Sequence, residues 1–388
     1  MAKNTGFQPR LTFMFRSREL ARIAHVVEGG QSVLLVGIRN TGKTQLMKAA
    51  LTAHAARGGQ NCAAFIDVQN LFDLETFYRH LLAGLPKPLV RRAVDLLASA
   101  RQVPDAMMQW LRKHVDDAEG FGFSVNLNDP AQIVRYWEPL QLALERAVGE
   151  TSAEALPLLG IDELPFMLEN LIEHQVKVAE ITVMLAGLRK LRAAGLRMIL
   201  GGSISMENLL TLNGIPHTVL GQLWREEVPP FTRDESSAFL RHRLATSPAA
   251  AHVDPVLDLL PDWVPSHLET AITLLIDADT TVTAEAVRWQ VQHQVLPRIS
   301  AEFLKQFDER LGKHFPGEDL AVAERLLDQV AGHAEAGGRI DSTALPQAWR
   351  RVLTRLQYDM FLRDAPDLGY RFSMNLLRNW WRAQRGMA

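Results

Sequence analysis

Residues 37–44 carry the pattern G-x-x-x-x-G-K-[ST], whose residue types and spacing suit the binding of phosphate groups. The apolar run 32–36 precedes the pattern and a segment with helical periodicity follows it, so we expect the loop to join a strand to a helix. In that context backbone N–H groups and the helix N-terminus face phosphate oxygens. Lys43 supplies a positive charge for the β- and γ-phosphates, and the Thr44 hydroxyl is a ligand for Mg²⁺.

The residues that we predict to contact a nucleotide all belong to this loop or to the first turn of the helix after it. They are Gly37, Arg39, Asn40, Thr41, Gly42, Lys43, Thr44 and Gln45. The alternative is a glycine-rich turn that matches the pattern by chance. A second motif at the same edge of the sheet argues against that alternative.

This second motif is an apolar run, Leu158–Ile161, that ends in the acidic pair Asp162 and Glu163. Ligands bind at the carboxyl edge of a parallel sheet, and the phosphate loop leaves the same edge. We therefore predict that Asp162 holds Mg²⁺ through water and that Glu163 orients or activates the attacking water. Such a pair is called a Walker B motif. The alternative is an Asp-Glu pair that caps the next helix.

A third apolar run, 196–202, is followed by polar residues. Ser203, at the tip of this strand, is the candidate for a sensor that hydrogen-bonds the γ-phosphate or the water. The competing role, for Ser203 or Ser205, is the N-cap of the following helix. No arginine stands out as a transition-state contact, because most arginines on such helices are solvated surface residues. The candidates are Arg39, Arg189, Arg192 and Arg225.

Apolar runs alternate with helical patterns over the first 230 residues, which indicates a parallel sheet with helices on both faces. The predicted strands are 32–37, 62–68, 156–161, 196–202 and 217–220, with a further hairpin or edge strand at 121–128. From Phe231 onwards the sequence predicts helices, beginning with a capping box at Thr232 and Glu235. A short strand at 370–372 and a last helix end the chain.

Composition describes an ordinary globular protein of two or three domains, since the chain has 388 residues, 47% of them hydrophobic and 22% charged. The net charge of −2 leaves no global electrostatic footprint for nucleic acid. Cys62 is the only cysteine, which excludes a disulfide framework and fits a reducing cytosol. The sequence shows no signal peptide and no apolar run of membrane-spanning length, so we expect a cytoplasmic protein without a membrane partner.

Segments of the N-terminal half resemble the AAA+/STAND-type P-loop ATPases, in particular their archaeal ATPase-like set. Residues 13–20 look like the F-x-G-R-x-x-E-L opening of that family, with Phe15 in place of its glycine. Gly37–Thr44 is similar to its R-x-T-G-K-T loop. Leu159–Glu163 resembles its Walker B strand, and Gly202-Ser203 resembles its sensor strand.

The resemblance continues in the C-terminal half. Residues 263–268 resemble the lid motif of the family, although Asp262 and Trp263 replace the glycines usually placed before the lid proline. Residues 369–381 resemble the end of its C-terminal winged helix. The implied fold is α/β: a P-loop parallel-sheet ATPase domain, a helical lid and a winged-helix domain. We expect these three domains at residues 1–230, 231–315 and 316–388.

The resemblance also implies a function, an ATP-driven conformational switch with ATP and Mg²⁺ as cofactors and slow or partner-stimulated hydrolysis. Such switches form homo-oligomers or engage a protein partner, often in regulatory or host-defence roles. Because no internal arginine stands out, a neighbouring subunit is a candidate source of one. A scaffold in which the nucleotide is structural is a further hypothesis.

The C-terminal segment is basic and carries interleaved tryptophans. From residue 339 onwards it has four aspartates, at 341, 359, 364 and 367, and nine arginines, at 339, 350, 351, 355, 363, 371, 378, 382 and 385. Basic and aromatic residues on a winged helix are compatible with DNA phosphates. Protein docking and simple solubility explain them equally well. The alternative function is therefore a DNA-binding ATPase of the initiator or transposition-regulator type.

Overall fold

The computed structural model describes residues 15–58, 63–99, 108, 132–152, 156–202, 205–276, 283–332, 340–365 and 369–387. These residues form two compact units. The described parts of Met1–Val36 and Lys43–Glu227 make up the first unit, and those of Gly37–Gly42 and Val228–Ala388 make up the second. The hairpin predicted at 121–128 lies outside the described residues.

The first unit contains a five-stranded sheet in which all neighbouring strands are parallel. Its strands are β1 (Val33–Val36), β2 (Ala63–Asp67), β3 (Leu158–Asp162), β4 (Arg197–Gly201) and β5 (Trp224–Glu227), in the order β2-β3-β4-β1-β5. One strand, β4, therefore separates the strand before the phosphate loop from the strand before the acidic pair.

Helices cover both faces of this sheet. In the described part of the unit they are α1 (Ser17–Glu28), α2 (Lys43–Gly58), α3 (Leu74–Gly84), α4 (Lys87–Ser99), α5 (Gln132–Gly149), α6 (Leu164–Glu173), α7 (Val178–Ala193) and α8 (Met206–Leu212). Along β3, Leu159 and Ile161 belong to the core formed with α3 to α8. Alternate side chains of a strand point to opposite faces, and Gly160 accordingly faces Met47 and Leu51 of α2.

The prediction of a strand at 217–220 is wrong. His217–Leu220 is a turn of 3₁₀ helix that ends at Gly221, and both of its apolar residues pack into the core. The fifth strand is β5, which follows it and consists of one tryptophan and three charged residues. Its buried residue is Glu226, which Arg22 of α1 holds at 2.5 Å. A charged edge strand of this kind lacks the apolar run by which strands are recognised.

In the second unit, the described residues between 233 and 358 are mainly helical. Its helices are α9 (Arg233–Arg243), α10 (Val253–Leu259), α11 (Pro265–Ile276), α12 (Ala284–Gln290), α13 (Leu296–His314), α14 (Glu318–Gly332) and α15 (Gln347–Tyr358), and a π-helical turn, Val291–Val295, joins α12 to α13. The predicted capping box is present. The Thr232 hydroxyl accepts a hydrogen bond from the Glu235 N–H at 3.3 Å, and the Glu235 carboxylate accepts one from the Thr232 N–H at 2.7 Å.

An antiparallel hairpin and a last helix complete this unit. β6 (Leu362–Ala365) pairs with β7 (Gly369–Phe372), and α16 (Asn375–Gln384) follows. The sequence predicts only the second strand, because the two central residues of β6 are charged and exposed. Helices followed by a two-stranded wing and a helix form the expected winged-helix arrangement, so the predicted fold class is confirmed. No helix among the described residues combines the length and apolarity needed to cross a membrane.

Candidate functional site

The phosphate loop between β1 and α2 is built from residues that tolerate unusual backbone angles. Gly37, Asn40 and Gly42 have φ angles of 149°, 67° and 94°. Glycine adopts such angles without steric cost, and asparagine does so more readily than most other residues. Thr41 is buried, and its hydroxyl and N–H both donate to the Ile38 carbonyl, at 2.9 and 3.4 Å. These residues give the loop the tight turn that a backbone cradle for phosphate needs.

The helix after the loop begins at the residues predicted to bind phosphate and metal. Lys43 is the first residue of α2 and is only 6% exposed, and Thr44 is half-buried. The side-chain oxygen of Gln45 is buried and has no hydrogen-bond partner among the described residues. The first N–H groups of a helix lack intrahelical acceptors and lie at the positive end of its dipole, which favours an anion there.

Asp162, the last residue of β3, is 2% exposed. The Thr44 hydroxyl donates a hydrogen bond to its carboxylate, so the two residues predicted to hold Mg²⁺ are in contact. Burial raises the pKa of the Asp162 carboxyl, the Thr44 hydrogen bond lowers it, and the negative charges of Glu163 and Asp67 raise it further. A divalent cation beside this carboxylate offsets the cost of burying its charge. The residues therefore fit a magnesium site.

Glu163 is the N-cap residue of α6 and has a left-handed backbone conformation, with φ 57° and ψ 31°. This conformation is uncommon for residues other than glycine, and such strain is concentrated at functional sites. The Glu163 N–H donates to Asp162 Oδ1 at 3.2 Å, and the Glu163 side chain, at the N-cap position, makes no capping bond to the first turn of α6. These contacts do not support the alternative in which the acidic pair serves only as a helix cap.

Two glycines in the sheet allow α2 to lie close above the acidic strand. A Cβ at Gly160 of β3 would lie 2.8 Å from Leu51 Cδ1 and 2.9 Å from Met47 Sδ. A Cβ at Gly201 of β4 would lie 2.7 Å from Met47 Cε and 3.0 Å from Asp162 Oδ1. Contacts this short leave no room for a side chain unless the ends of the Met47 and Leu51 side chains move. The glycines therefore set the distance between α2 and β3, and with it the contact between the Thr44 and Asp162 side chains.

Asp67 is a third acid at this edge, and the sequence reasoning did not single it out. It ends β2 and is the paired position of Asp162 on β3, with neighbouring strands about 4.8 Å apart. Its side chain is exposed, and Oδ1 accepts a hydrogen bond from the Gln69 N–H at 3.0 Å. An acid directly after an apolar run is the signal that could have identified it. Within the described ranges no cluster of three or more His, Cys, Asp or Glu side chains could by itself hold a metal.

The predicted sensor, Ser203, lies outside the described residues, so its role stays a prediction. Ser205 is the N-cap of α8, because its hydroxyl accepts a hydrogen bond from the Asn208 N–H at 3.1 Å. Of the two serines, only Ser205 is thus shown to be a helix N-cap.

Three of the four candidate arginines make intramolecular contacts. Arg189 donates to the Thr218 carbonyl at 2.8 Å, and Arg192 donates to the carbonyls of residues 220 and 222. Both arginines thereby hold the turn before β5. Arg225 pairs with Glu207. These bonds favour structural roles for the three side chains, whereas Arg39 is half-buried within the phosphate loop.

The likeness of this chain to known proteins lies in its structure. No family model matches it, and no curated protein matches it. The Walker-type ATPase PABY2304 of Pyrococcus abyssi is a similar solved structure, with a TM-score of 0.56 and 16% identity over 95% of each chain. The chain has the fold of the AAA+ P-loop ATPases. At this identity the likeness shows the fold and not the activity.

Two further solved structures resemble this chain less closely. The ORC2 protein of Aeropyrum pernix has a TM-score of 0.46 and 14% identity, over 96% of this chain and 95% of that chain. Cdc6p of Pyrobaculum aerophilum has a TM-score of 0.41 and 11% identity, over 99% and 96%. Scores this low carry no argument about function. The AAA+ resemblance is confirmed as a fold, while the STAND-type assignment and the three domain boundaries stay predictions.

Proposed function

We propose that this protein binds ATP with Mg²⁺ at its phosphate loop and hydrolyses it. The observation that supports this most strongly is the hydrogen bond between Thr44 and Asp162. It brings the hydroxyl that follows the loop lysine against the buried acid at the tip of β3, which is the pair of side chains that nucleotide-bound Mg²⁺ requires. The positive φ angles of the loop support the same conclusion.

Each residue of the site has a defined part in this proposal. Lys43 offsets charge on the β- and γ-phosphates, and Thr44 and Asp162 hold the cation, with Asp162 acting through water. Bound Mg²⁺ supplies neutralisation of phosphate charge. Glu163 orients the attacking water or accepts its proton. Ser203 is retained as the candidate sensor.

We expect slow intrinsic ATP hydrolysis, because three of the candidate arginines are engaged in contacts within the chain. In enzymes of this type an arginine that reaches the γ-phosphate accelerates hydrolysis by about 10³- to 10⁵-fold. Arg189, Arg192 and Arg225 are engaged in the contacts described above. We therefore propose that a second copy of the chain or another protein supplies this charge, so that oligomerisation or partner binding stimulates hydrolysis.

The nucleotide state is proposed to act as a switch for three domains, at residues 1–230, 231–315 and 316–388. A ligand shifts such an equilibrium only as far as its affinities for the two conformations differ. A regulatory or defence role in the cytoplasm is the proposed setting.

DNA binding by the winged helix stays a prediction, and the described ion pairs do not favour it. Arg351 and Arg355 bind Asp319, at 3.1 and 2.6 Å. Arg385 lies between Glu324 and Asp328, at 3.0 and 3.2 Å. Arginines paired in this way must break a contact before they bind a phosphate. Binding that depends steeply on salt would support the DNA alternative.

The test is equilibrium binding of a fluorescent ATP analogue in the presence of Mg²⁺. We expect the wild-type chain to bind and Lys43→Ala to lose at least about tenfold in affinity, since a partly buried charge–phosphate contact is removed. Lys48→Ala is the matched control, because Lys48 lies one turn further along α2 with its Nζ 4.4 Å from the centre of the Phe65 ring. Equal affinities of wild type and Lys43→Ala would overturn the proposal.

A further inference from the structure

The first residue of the phosphate loop packs against the chain that leaves the sheet. A Cβ at Gly37 would lie 2.7 Å from the carbonyl oxygen of Val228, a residue that is fully buried. Val228 directly follows β5 and, like Gly37–Gly42, belongs to the second unit. Because the contact is backbone against backbone, no flexible side chain can absorb a movement of the loop.

The segment after Val228 is tied to the turn before α11. The Phe231 N–H donates to the Trp263 carbonyl at 3.0 Å. The Trp263 indole N–H donates in turn to the Leu257 carbonyl at 3.2 Å, which fixes the ring. Trp263 and its neighbour Asp262 are the two residues that stand where the resembling family has glycines.

Asp262 caps α16 from outside that helix. Its carboxylate accepts hydrogen bonds from the Asn375 N–H at 3.0 Å and the Leu376 N–H at 2.7 Å. The Asn375 side-chain amide donates back to the Pro261 carbonyl at 3.0 Å. The first N–H groups of a helix need an outside acceptor, and Met374 at the N-cap position makes no side-chain capping bond. A residue 113 positions upstream therefore acts as the cap.

We propose that this series of contacts, from Gly37 through Val228, Phe231 and Trp263 to Asp262, couples nucleotide binding to the winged helix. Phosphate at the loop changes how firmly Asp262 holds the first turn of α16. The two arrangements are the capped and the uncapped helix start. Asp262 is thus a positioning residue for the regulation of the site, and the inference rests on the proposed ATP binding.

Coupling of this kind is reciprocal. If bound nucleotide changes the equilibrium constant for opening of the Asp262 cap by some factor, opening of the cap changes the nucleotide affinity by the same factor. Loss of the cap is therefore expected to alter ATP affinity, although Asp262 itself is not placed among the residues that contact ATP.

Hydrogen exchange of the full-length chain tests the inference, with and without Mg²⁺ and a non-hydrolysable ATP analogue. In the wild type we expect nucleotide to change the exchange of the amides at 375–378 by about fivefold or more. Asp262→Ala is expected to abolish this response, and Asp262→Asn, which retains one acceptor oxygen, to restore part of it. Asp73→Ala is the matched control, because Asp73 caps α3 through the Thr76 N–H at 2.7 Å.

The possible outcomes separate the two proposals. Nucleotide binding with unchanged exchange at 375–378 in the wild type would overturn the coupling alone, as would a full response in Asp262→Ala. If Asp262→Ala does not fold, Asn375→Ala removes only the bond to Pro261, and an undiminished response in that variant counts against the coupling. A wild-type chain that binds no nucleotide would overturn the proposed function and this inference with it.

Discussion

Adding one methyl group at Gly160 is expected to weaken the nucleotide site without changing any residue that forms it. In Gly160→Ala the new Cβ would meet Leu51 Cδ1 at 2.8 Å and Met47 Sδ at 2.9 Å. These atoms lie on the face of α2 that packs against β3. Either the side chains leave their preferred rotamers or α2 moves away from the sheet, and the second response separates Thr44 from Asp162.

Two opposing effects set the size of the change. Overpacking a close-packed interior costs about 1–3 kcal/mol. Replacement of a strand glycine by alanine regains about 0.5–1 kcal/mol, because the unfolded chain becomes less flexible. We therefore expect Gly160→Ala to lower the free energy of unfolding of the first unit by about 1 kcal/mol, and by at most about 2.5 kcal/mol. Gly149→Ala is the control, since no atom lies within 4 Å of the added Cβ at the end of α5.

Native-state hydrogen exchange of β3 and α2 measures this free energy, and ATP-analogue titration measures the site. The effect of Gly160→Ala should also be smaller in a Leu51→Ala background, with a coupling energy of at least about 0.5 kcal/mol. A Gly160→Ala protein as stable as wild type and equal to it in nucleotide affinity would refute the claim that this glycine sets the position of α2.

Three further predictions concern titration, metal binding and strain. Burial lowers the pKa of His267 to about 4 from 6.5, so its contribution to stability is present above pH 6.5 and is lost as the pH falls towards 4. As the pH falls over that range, the free energy of unfolding of the second unit should decrease by up to about 3 kcal/mol more in wild type than in His267→Leu. Burial raises the pKa of Asp262 to about 6, which acts in the opposite direction in both proteins. Asp67→Asn should reduce the Mg²⁺ dependence of nucleotide binding several-fold, because it removes a negative charge beside Asp162. Asp341→Asn is the control, since Asp341 forms with Thr343 the same type of turn that Asp67 forms with Gln69. Equal Mg²⁺ titrations of wild type and Asp67→Asn would contradict this role of Asp67. Glu163→Gly should raise the free energy of unfolding by about 1 kcal/mol, because glycine adopts the left-handed backbone conformation without strain. The same variant should lose ATP hydrolysis. A lower free energy of unfolding in Glu163→Gly would show that the Glu163 backbone is not strained.

Much of the fold could be predicted because three of its parallel strands, β1, β3 and β4, are buried along nearly their whole length. The runs that end at Val36, Ile161 and Gly201 are apolar apart from Arg197 at the start of β4. Each is followed by a glycine or an acid at the carboxyl edge of the sheet. β5 and β6 could not be predicted in the same way. Their charged residues are stabilised by partners distant in sequence, as Glu226 is by Arg22. Apolar periodicity does not reveal such partners.

In the candidate site, too, local sequence patterns could be predicted and contacts between distant residues could not. Its loop and acidic pair are local patterns, so the sequence alone predicts Lys43, Thr44, Asp162 and Glu163. Asp67 enters only through the register of β2 against β3. The capping of α16 by Asp262 joins residues 113 positions apart, and local propensity holds no information about such a contact.

The central claim is that Glu163 supports hydrolysis of ATP bound at the phosphate loop. It is tested most directly by the rate of phosphate release from saturating Mg²⁺-ATP, with and without DNA, for wild type and Glu163→Gln. We expect similar ATP affinity in both proteins and a rate about 10²- to 10⁴-fold lower in the variant, the usual contribution of a positioned general base. Equal rates in the two proteins, or no release from wild type under any condition, would contradict it.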